Sequence, residues 1–245
     1  MAAFWIALQE LKRDLRDPVG LVMTLVVPMV LIVAIGLVAG SAPFGPRPAQ
    51  GFDALSYIAP GMALFFMMLS VRQAAKTAAE DSDRGLRDRV RRAPVSHASA
   101  LVGATASQVV LLFLQLLVLI GVSTRIYGLR WGPVGTVLLV CAALAVAGSG
   151  WIALLVSAGR TPARINALGM ALTLVFGIVS RSFAAVIPSA PWMDTMARIT
   201  PNYWGLHAFS ALALGGGTGA VARDVSALAL MCAATWTASL LFGRR

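Results

Sequence analysis

Long uninterrupted apolar runs are the feature that most restricts how this chain can fold. An α-helix needs about 20 apolar residues to cross the hydrocarbon core of a bilayer. Runs of about this length occupy residues 19–39, 55–75, 98–124, 132–157, 165–183 and 224–242. Runs without period-two alternation favour helices over barrel strands, and only 12% of the 245 residues are charged. We therefore predict an all-α integral membrane protein, with six transmembrane helices in one domain spanning residues 1–245.

Three of the predicted helices contain residues that often bend a helix or let another helix approach it. Pro28 lies in the first run, Pro60 and Gly61 lie in the second, and Gly148–Gly150 is a cluster of small residues in the fourth. Membrane helices tolerate such residues because neighbouring helices satisfy and cover the backbone there. We predict that these positions serve close packing within a helix bundle.

The segment before the first run predicts an amphipathic helix that lies in the membrane surface. Within residues 3–17, Phe4, Leu8, Leu11 and Leu15 recur at helical spacing, and charged residues occupy the other side. A cleaved signal peptide is the competing interpretation. The acidic residues of this leader and the length of the run that follows argue against cleavage, so we expect the segment to be retained.

The distribution of lysine and arginine predicts the orientation in the membrane. With six spans, 14 of the 20 basic residues fall on the side that carries both termini, and the other six fall on the opposite side. Basic residues accumulate on the cytoplasmic side of plasma membrane proteins. Both termini are therefore predicted to be cytoplasmic, and the net charge of +10 requires no nucleic acid because flanking residues of this kind attract anionic lipid.

Residues that would supply energy or chemistry are missing from the sequence. The middles of the predicted spans contain no acidic, basic or histidine residue to hold a coupled ion. The two lysines, Lys12 and Lys76, follow Leu and Ala, so neither completes the Gly-Lys pair of a nucleotide-binding P-loop. Cys141 and Cys232 lack the spacing of metal ligands or of a disulfide framework. We predict no catalytic residue, metal or cofactor in this chain, so work on a solute needs energy from another polypeptide.

Charge is concentrated instead in one cytoplasmic segment, Glu80–His97, between the second and third predicted spans. Acidic and basic residues lie four apart within Asp83–Asp88, Leu86 and Val90 form a small apolar edge, and Pro94 ends the pattern. A solvated loop that obeys the positive-inside rule is the simpler interpretation. The apolar edge among the charges favours a short helix that docks a soluble partner.

Two segments resemble a known family. Gly85–Leu86 followed by charges and then by Ala93–Ser96 is similar to the coupling segment in permeases of type-2 ATP-binding cassette (ABC) transporters. Pro191–Trp192, Thr200–Pro201 and Trp204, followed by an apolar stretch, are similar to the region before the last span of that family. With the surface helix and six spans, the resemblance covers essentially the whole chain, and it is nearest to the type V exporter-like, drug-efflux branch.

The resemblance implies the permease subunit of an exporter in a bacterial plasma membrane. Such an assembly contains two permeases, identical or sister chains, and two copies of a separate ATPase subunit, which binds the ATP and Mg²⁺. The coupling helix would occupy about 80–95. Its ATPase-docking residues would be Asp83, Arg84, Leu86, Arg87, Asp88, Val90 and Arg91. Many family members have an acid shortly after Gly-Leu, whereas this chain has Arg87 before Asp88.

The resemblance also implies a re-entrant segment that enters the membrane from the outer side at about 188–214. Its characteristic residues would be Pro191, Trp192, Pro201 and Trp204. The aromatic residues Trp192, Tyr203 and Trp204 also suit the outer membrane interface, where amphipathic rings are enriched.

The predicted solute is a small lipophilic compound such as a drug or an antibiotic, and a lipid or glycan-lipid is the alternative. Thioether and aromatic side chains suit diverse lipophilic solutes. The candidate path residues are Phe65, Phe66, Met67, Met68 and Phe176.

Two other classes of function compete with a permease. An intramembrane serine hydrolase would use Ser149, which lies between two glycines, as nucleophile and His207 as base. A serine in a membrane helix more often bonds to the backbone or to a neighbouring helix. A structural or channel-like subunit would also lack buried charge, but it would not need a cytoplasmic docking helix.

Overall fold

The computed structural model describes residues 12, 22, 26–31, 33–34, 54–83, 97–159, 161–182 and 191–242. Seven helices follow one another in this part of the chain. They are α1 (Ala54–Asp83), α2 (His97–Tyr127), α3 (Val134–Gly159), α4 (Pro162–Val179), α5 (Pro191–Ala197), α6 (Pro201–Ala213) and α7 (Thr218–Phe242). No strand occurs among these residues, so the predicted all-α class is confirmed.

Five of the seven helices, α1 to α4 and α7, are long and apolar enough to cross a membrane. They correspond to the second through sixth predicted spans. The first predicted span, 19–39, is described only in part, with residues 27–31, 33 and 34 helical. The predicted surface helix at 3–17 lies outside the described residues except for residue 12.

Helix α3 lies at the centre of the described bundle. It packs against α1, α2, α4, α6 and α7, and small side chains make this possible. A Cβ atom at Gly148 would lie 2.8 Å from Leu112 Cδ1, and one at Gly150 would collide with Thr235 of α7. The small-residue cluster therefore serves close helix packing, as the sequence predicted.

Helix α1 packs along α4. Gly61, which directly follows Pro60, lies so close to the end of α4 that a Cβ atom there would collide with the backbone carbonyl of Ser182. Towards the other end, the Thr173 hydroxyl donates a hydrogen bond to its own helix at the Gly169 carbonyl over 2.8 Å and lies 3.4 Å from the Met68 carbonyl of α1. These contacts hold α1 and α4 together along most of the length of α4.

Threonine caps begin two of the later helices. Thr161 Oγ1 accepts a hydrogen bond from the Arg164 amide over 3.4 Å, and Thr200 Oγ1 accepts one from the Tyr203 amide over 3.2 Å. Each threonine is followed by a proline at the first helical position, where the missing amide hydrogen costs nothing. The sequence therefore fixes the starts of α4 and α6 locally.

Candidate functional site

The C-terminal end of α1 leads into the predicted coupling segment. The helix continues without a break from the predicted span through to Asp83, so the first four residues of the predicted coupling helix extend α1. Lys76 and Glu80, four residues apart, form an ion pair over 3.3 Å on this extension. The side chain of Asp83 and the other docking residues, Arg84, Leu86, Arg87, Asp88, Val90 and Arg91, lie outside the described residues, and their role stays a prediction.

A polar contact ties this part of α1 to α4. The guanidinium of Arg72 donates a hydrogen bond to the side-chain carbonyl of Asn166, and the aliphatic part of Arg72 covers Gly169, where a Cβ atom would lie 2.6 Å from Arg72 Cγ. Arg72 therefore links the C-terminal half of α1 to α4.

Sequence reasoning missed this contact because Arg72 was counted only among the cytoplasmic basic residues. A signal was present in α4. Asn166, Gly169 and Thr173 are spaced i, i+3 and i+7, which places an amide, a glycine and a hydroxyl on one helix face. Such a face accommodates a long polar side chain from a neighbouring helix.

The five predicted path residues lie in or beside the packed core. Phe66, Met67, Met68 and Phe176 are buried, and Phe65 is half-buried. The Phe65 and Phe66 rings meet edge to face with centroids 5.6 Å apart, and Phe176 meets Trp151 at 4.9 Å. Their role as path residues stays a prediction.

An apolar cavity of about 480 Å³ lies elsewhere, between α2, α3 and the loop that joins them. Leu117, Ile120, Leu129, Trp131 and Val137 are among its lining residues. None of the predicted path residues lines it.

The predicted outer segment forms the two short helices α5 and α6, each of which begins at a predicted proline, Pro191 or Pro201. Trp192 is exposed. The Trp204 indole donates a hydrogen bond to the Arg198 carbonyl over 2.8 Å, and the Arg223 guanidinium lies 5.7 Å from the centre of the Trp204 ring.

Helix α6 contacts α1 and α3 well inside the bundle, away from the N-terminal ends of these two helices. A Cβ atom at Gly205 would lie 2.7 Å from Leu64 and 2.9 Å from Leu144. Each of these leucines is ten residues into its helix, which corresponds to about 15 Å along the axis. At the other end of α6, Leu212 lies against Gly132 in the loop before α3. Helix α6 therefore rises from this depth to the end of the bundle.

An acid and a histidine meet between α6 and α7. Nδ1 of His207 lies 3.0 Å from both carboxylate oxygens of Asp224. Asp224 is completely buried, whereas the His207 side chain is 57% exposed. The sequence predicted that the last span begins at Asp224, but α7 begins six residues earlier, at Thr218. This boundary was wrong because the charged residues there interrupted the apolar run, and Asp224 lies inside the helix.

The structure separates the two residues that a serine hydrolase would need. Ser149 Oγ donates a hydrogen bond to the Val146 carbonyl over 2.7 Å and lies 3.4 Å from the Trp236 indole nitrogen. His207 instead contacts Asp224. These partners are twelve residues apart on α7, which is about 18 Å along the helix, so the hydrolase interpretation is contradicted.

Comparison with known proteins identifies the class of this chain. Residues 1–214 match the ABC-2 type transporter family. The chain is also 28% identical, over 171 residues, to the linearmycin resistance permease protein LnrN of Bacillus subtilis (strain 168). That match covers 69% of this chain but only 43% of the relative, so the chain spans less than half of that permease.

The chain therefore belongs to the ABC-2 type transporter family, as a membrane-spanning permease subunit. The resemblance drawn from the coupling segment and the outer helices is confirmed at this level.

Proposed function

We propose that this chain is the permease subunit of an ATP-driven exporter of a small lipophilic compound, such as a drug or an antibiotic, in a bacterial plasma membrane with both termini cytoplasmic. The observation that carries the proposal is the family match over residues 1–214, together with the similarity to a linearmycin resistance permease. Two copies of a separate ATPase subunit would supply ATP and Mg²⁺, and a second permease, identical or sister, would complete the path.

The coupling step would act through α1. Closure of the ATPase pair on ATP would push on residues 80–95, the proposed coupling helix. Because α1 is continuous to Asp83 and its lower part is held to α4 by Arg72 and Asn166, that push would tilt two spans together. Nucleotide can shift the permease between states only if the docking contacts differ between those states, and a helix transmits such a difference better than a solvated loop.

On the outer side, we propose that α5 and α6 form the re-entrant segment, marked by Pro191, Trp192, Pro201 and Trp204. The depth of Gly205 beside Leu64 and Leu144 supports this arrangement. A short helix that enters a membrane and returns must have its ends covered by protein, and the buried Pro201 and Asn202 at the start of α6 fit that requirement.

For the solute path, we keep Phe65, Phe66, Met67, Met68 and Phe176 as proposed lining residues. Phe65 is the half-buried member of this group, so it is the first to test by substitution. Tilting of α1 and α4 would move all five because Phe176 lies on α4 and the others lie on α1.

The proposal is tested by reconstitution with the ATPase encoded by a neighbouring reading frame. Proteoliposomes that contain both subunits should accumulate or expel linearmycin, the compound in the relative's name, or a lipophilic dye in an ATP-dependent way. Vesicles with this chain alone should do neither. Uphill movement by this chain alone, or failure of any such ATPase to copurify, would contradict the proposal.

The docking role is tested by Leu86→Asp and Arg87→Glu. Removal of a buried leucine contact should weaken ATPase binding by at least about tenfold, and ATP-dependent export should fall in proportion while membrane insertion is unchanged. Arg92→Glu is the matched control, because on an ideal helix Arg92 lies about 140° from the edge formed by Leu86 and Val90. Equal effects of Arg87→Glu and Arg92→Glu would indicate general electrostatics and not a docking face.

A further inference from the structure

The pair of His207 and Asp224 is not explained by the proposed coupling of ATP to export. Asp224 is completely buried in a membrane-spanning helix, where an ionised carboxylate is costly unless it is paired. Both of its oxygens lie 3.0 Å from His207 Nδ1. The cost of burying an ionised Asp224 carboxylate therefore depends on its contact with His207.

Among the described side chains, the neighbouring helices bring no competing charge to the pair. Helix α6 packs against α1, α3 and α7. The α1 turns from Ile58 to Val71 and the whole of α3 contain no acidic or basic residue, and the titratable group on α3 is the buried thiol of Cys141. Among the described side chains, none from α1 or α3 can neutralise Asp224.

Other described charged and titratable groups on α6, α7 and the neighbouring loops are exposed or stack on aromatic rings. The Arg223 guanidinium lies over the Trp204 ring, and Arg198 and Arg130 are exposed. The Tyr203 ring lies nearly parallel to the imidazole, at 6.3 Å and 20°. Among the described residues, His207 is thus the titratable side chain that contacts the buried carboxylate.

The pair also links two neighbouring helices, α6 and α7. Helices α6 and α7 are joined by residues 214–217, so they form a hairpin, and His207 and Asp224 link its two arms about two turns below the connection. Near the connection, Thr218 of α7 approaches Thr136 of α3 over 3.2 Å through their hydroxyls. Among the described hydrogen bonds, the contact of His207 with Asp224 therefore joins α6 to α7, whereas the threonine pair joins α7 to α3.

We propose that His207 and Asp224 form a proton-binding site that fastens α6 to α7 in response to pH. In neutral histidine, Nδ1–H donates to the carboxylate and Nε2 carries a lone pair. Nε2 takes a proton from water and makes an imidazolium that faces the Asp224 carboxylate, and release of that proton leaves the weaker neutral hydrogen bond. The hairpin is thus held more tightly at acidic pH, and the hold weakens as the pH rises through the range in which histidine loses its charge.

The test uses the purified chain in detergent, so it needs neither the ATPase nor a solute, and its outcome is independent of the proposed export function. Thermal unfolding is measured at about pH 5 and about pH 8, on either side of the range in which histidine changes charge. Between these values, the unfolding temperature of the wild type should fall by about 4 °C more than that of His207→Gln. His207→Lys, which keeps a cation at both values, should also lose this extra pH response.

The chain supplies a matched control because it contains two histidines. His97→Gln alters the other histidine, at the start of α2, and should respond to pH as the wild type does. Asp224→Asn should behave like His207→Gln. An equal pH response in His207→Gln and wild type, or loss of the response in His97→Gln, would overturn the proposal. If Asp224→Asn does not fold, the two histidine variants decide alone, since the exposed His207 side chain can be replaced without opening the core.

Amide hydrogen exchange locates the effect. After correction for the chemical exchange rate, peptides covering residues 201–213 should exchange about fivefold to tenfold faster at the higher pH in wild type, a change expected when a charged hydrogen bond becomes a neutral one. Peptides from α2 should show no such change. A uniform response over all helices would contradict a local proton-binding site.

Discussion

Helices α3 and α7 have nearly the same length, and both are apolar enough to cross a membrane, yet they occupy different environments. About half of the spanning stretch of α3, 56%, is buried within the chain, against 11% for α7. Helix α3 contacts five other helices, whereas α7 contacts chiefly α3 and α6. On α7, Leu230, Leu240, Leu241 and Phe242 face outward.

The difference coincides with the position of the small residues that α3 buries against its neighbours. Lipid tails are as apolar as leucine, so burial of a leucine against another helix gains little over burial in lipid. In contrast, close approach of two helix backbones adds van der Waals packing and hydrogen bonds between the helices. Helix α3 offers a run of buried small residues at Ala147–Gly150, and α7 attaches itself there through Thr235 and Trp236.

The largest expected loss of stability comes from a substitution that breaks this contact between α3 and α7. Gly150→Val should destabilise the protein by about 3 kcal/mol because its side chain collides with Thr235 and approaches the Cys232 carbonyl. The unfolding temperature in detergent should fall by roughly 6 to 12 °C. Gly219→Ala on α7 is the control, since nothing lies within 4 Å of a Cβ atom there. If the glycine at position 150 tolerates valine, small residues do not set the position of α3.

A smaller loss of stability should distinguish the buried environment of α3 from the exposed environment of α7. Leu144→Ala on α3 removes a completely buried side chain and should cost about 2 kcal/mol, mainly through lost packing. Leu230→Ala on α7, at a side chain that is 72% exposed, should change stability by less than about 0.5 kcal/mol. Chemical unfolding of both variants in the same detergent makes the comparison. Equal losses would show that a partner chain or ordered lipid covers Leu230 as tightly as protein covers Leu144.

The smallest effect concerns the hydrogen bond between the two helices. Ser149→Ala removes the acceptor that lies 3.4 Å from the Trp236 indole nitrogen and should cost about 0.6 kcal/mol, the average for such bonds between membrane helices. A double-mutant cycle with Trp236→Phe measures the coupling. The same variant should export normally with its ATPase. Loss of a proteolytic activity in Ser149→Ala would revive the hydrolase interpretation.

The sequence predicted the elements better than it predicted their contacts. Three spans, α2 to α4, lie within about four residues of the predicted ends, because long apolar runs have clear limits where charges and turns begin. The two larger differences between predicted and observed helix ends occur where charged residues continue a helix. Helix α1 extends to Asp83, stabilised locally by Lys76 and Glu80, and α7 begins before Asp224.

The polar contacts of the candidate site could not be predicted in the same way. Arg72 with Asn166 and His207 with Asp224 join residues 94 and 17 positions apart. Each contact depends on how two helices are rotated about their axes. A hydropathy pattern that is apolar on all sides carries almost no information about that rotation.

The sequence by itself determined that the chain crosses a membrane as helices, because backbone groups must be hydrogen bonded locally wherever water is absent. It also contained the coupling and outer motifs that indicate the family. Only the tertiary structure decided which of the described helices is central, which helix faces the chain leaves exposed, and that Asp224 is buried against His207. The physical reason is that lipid and protein interior are similarly apolar, so these choices depend on shape, close packing and the pairing of a few polar groups.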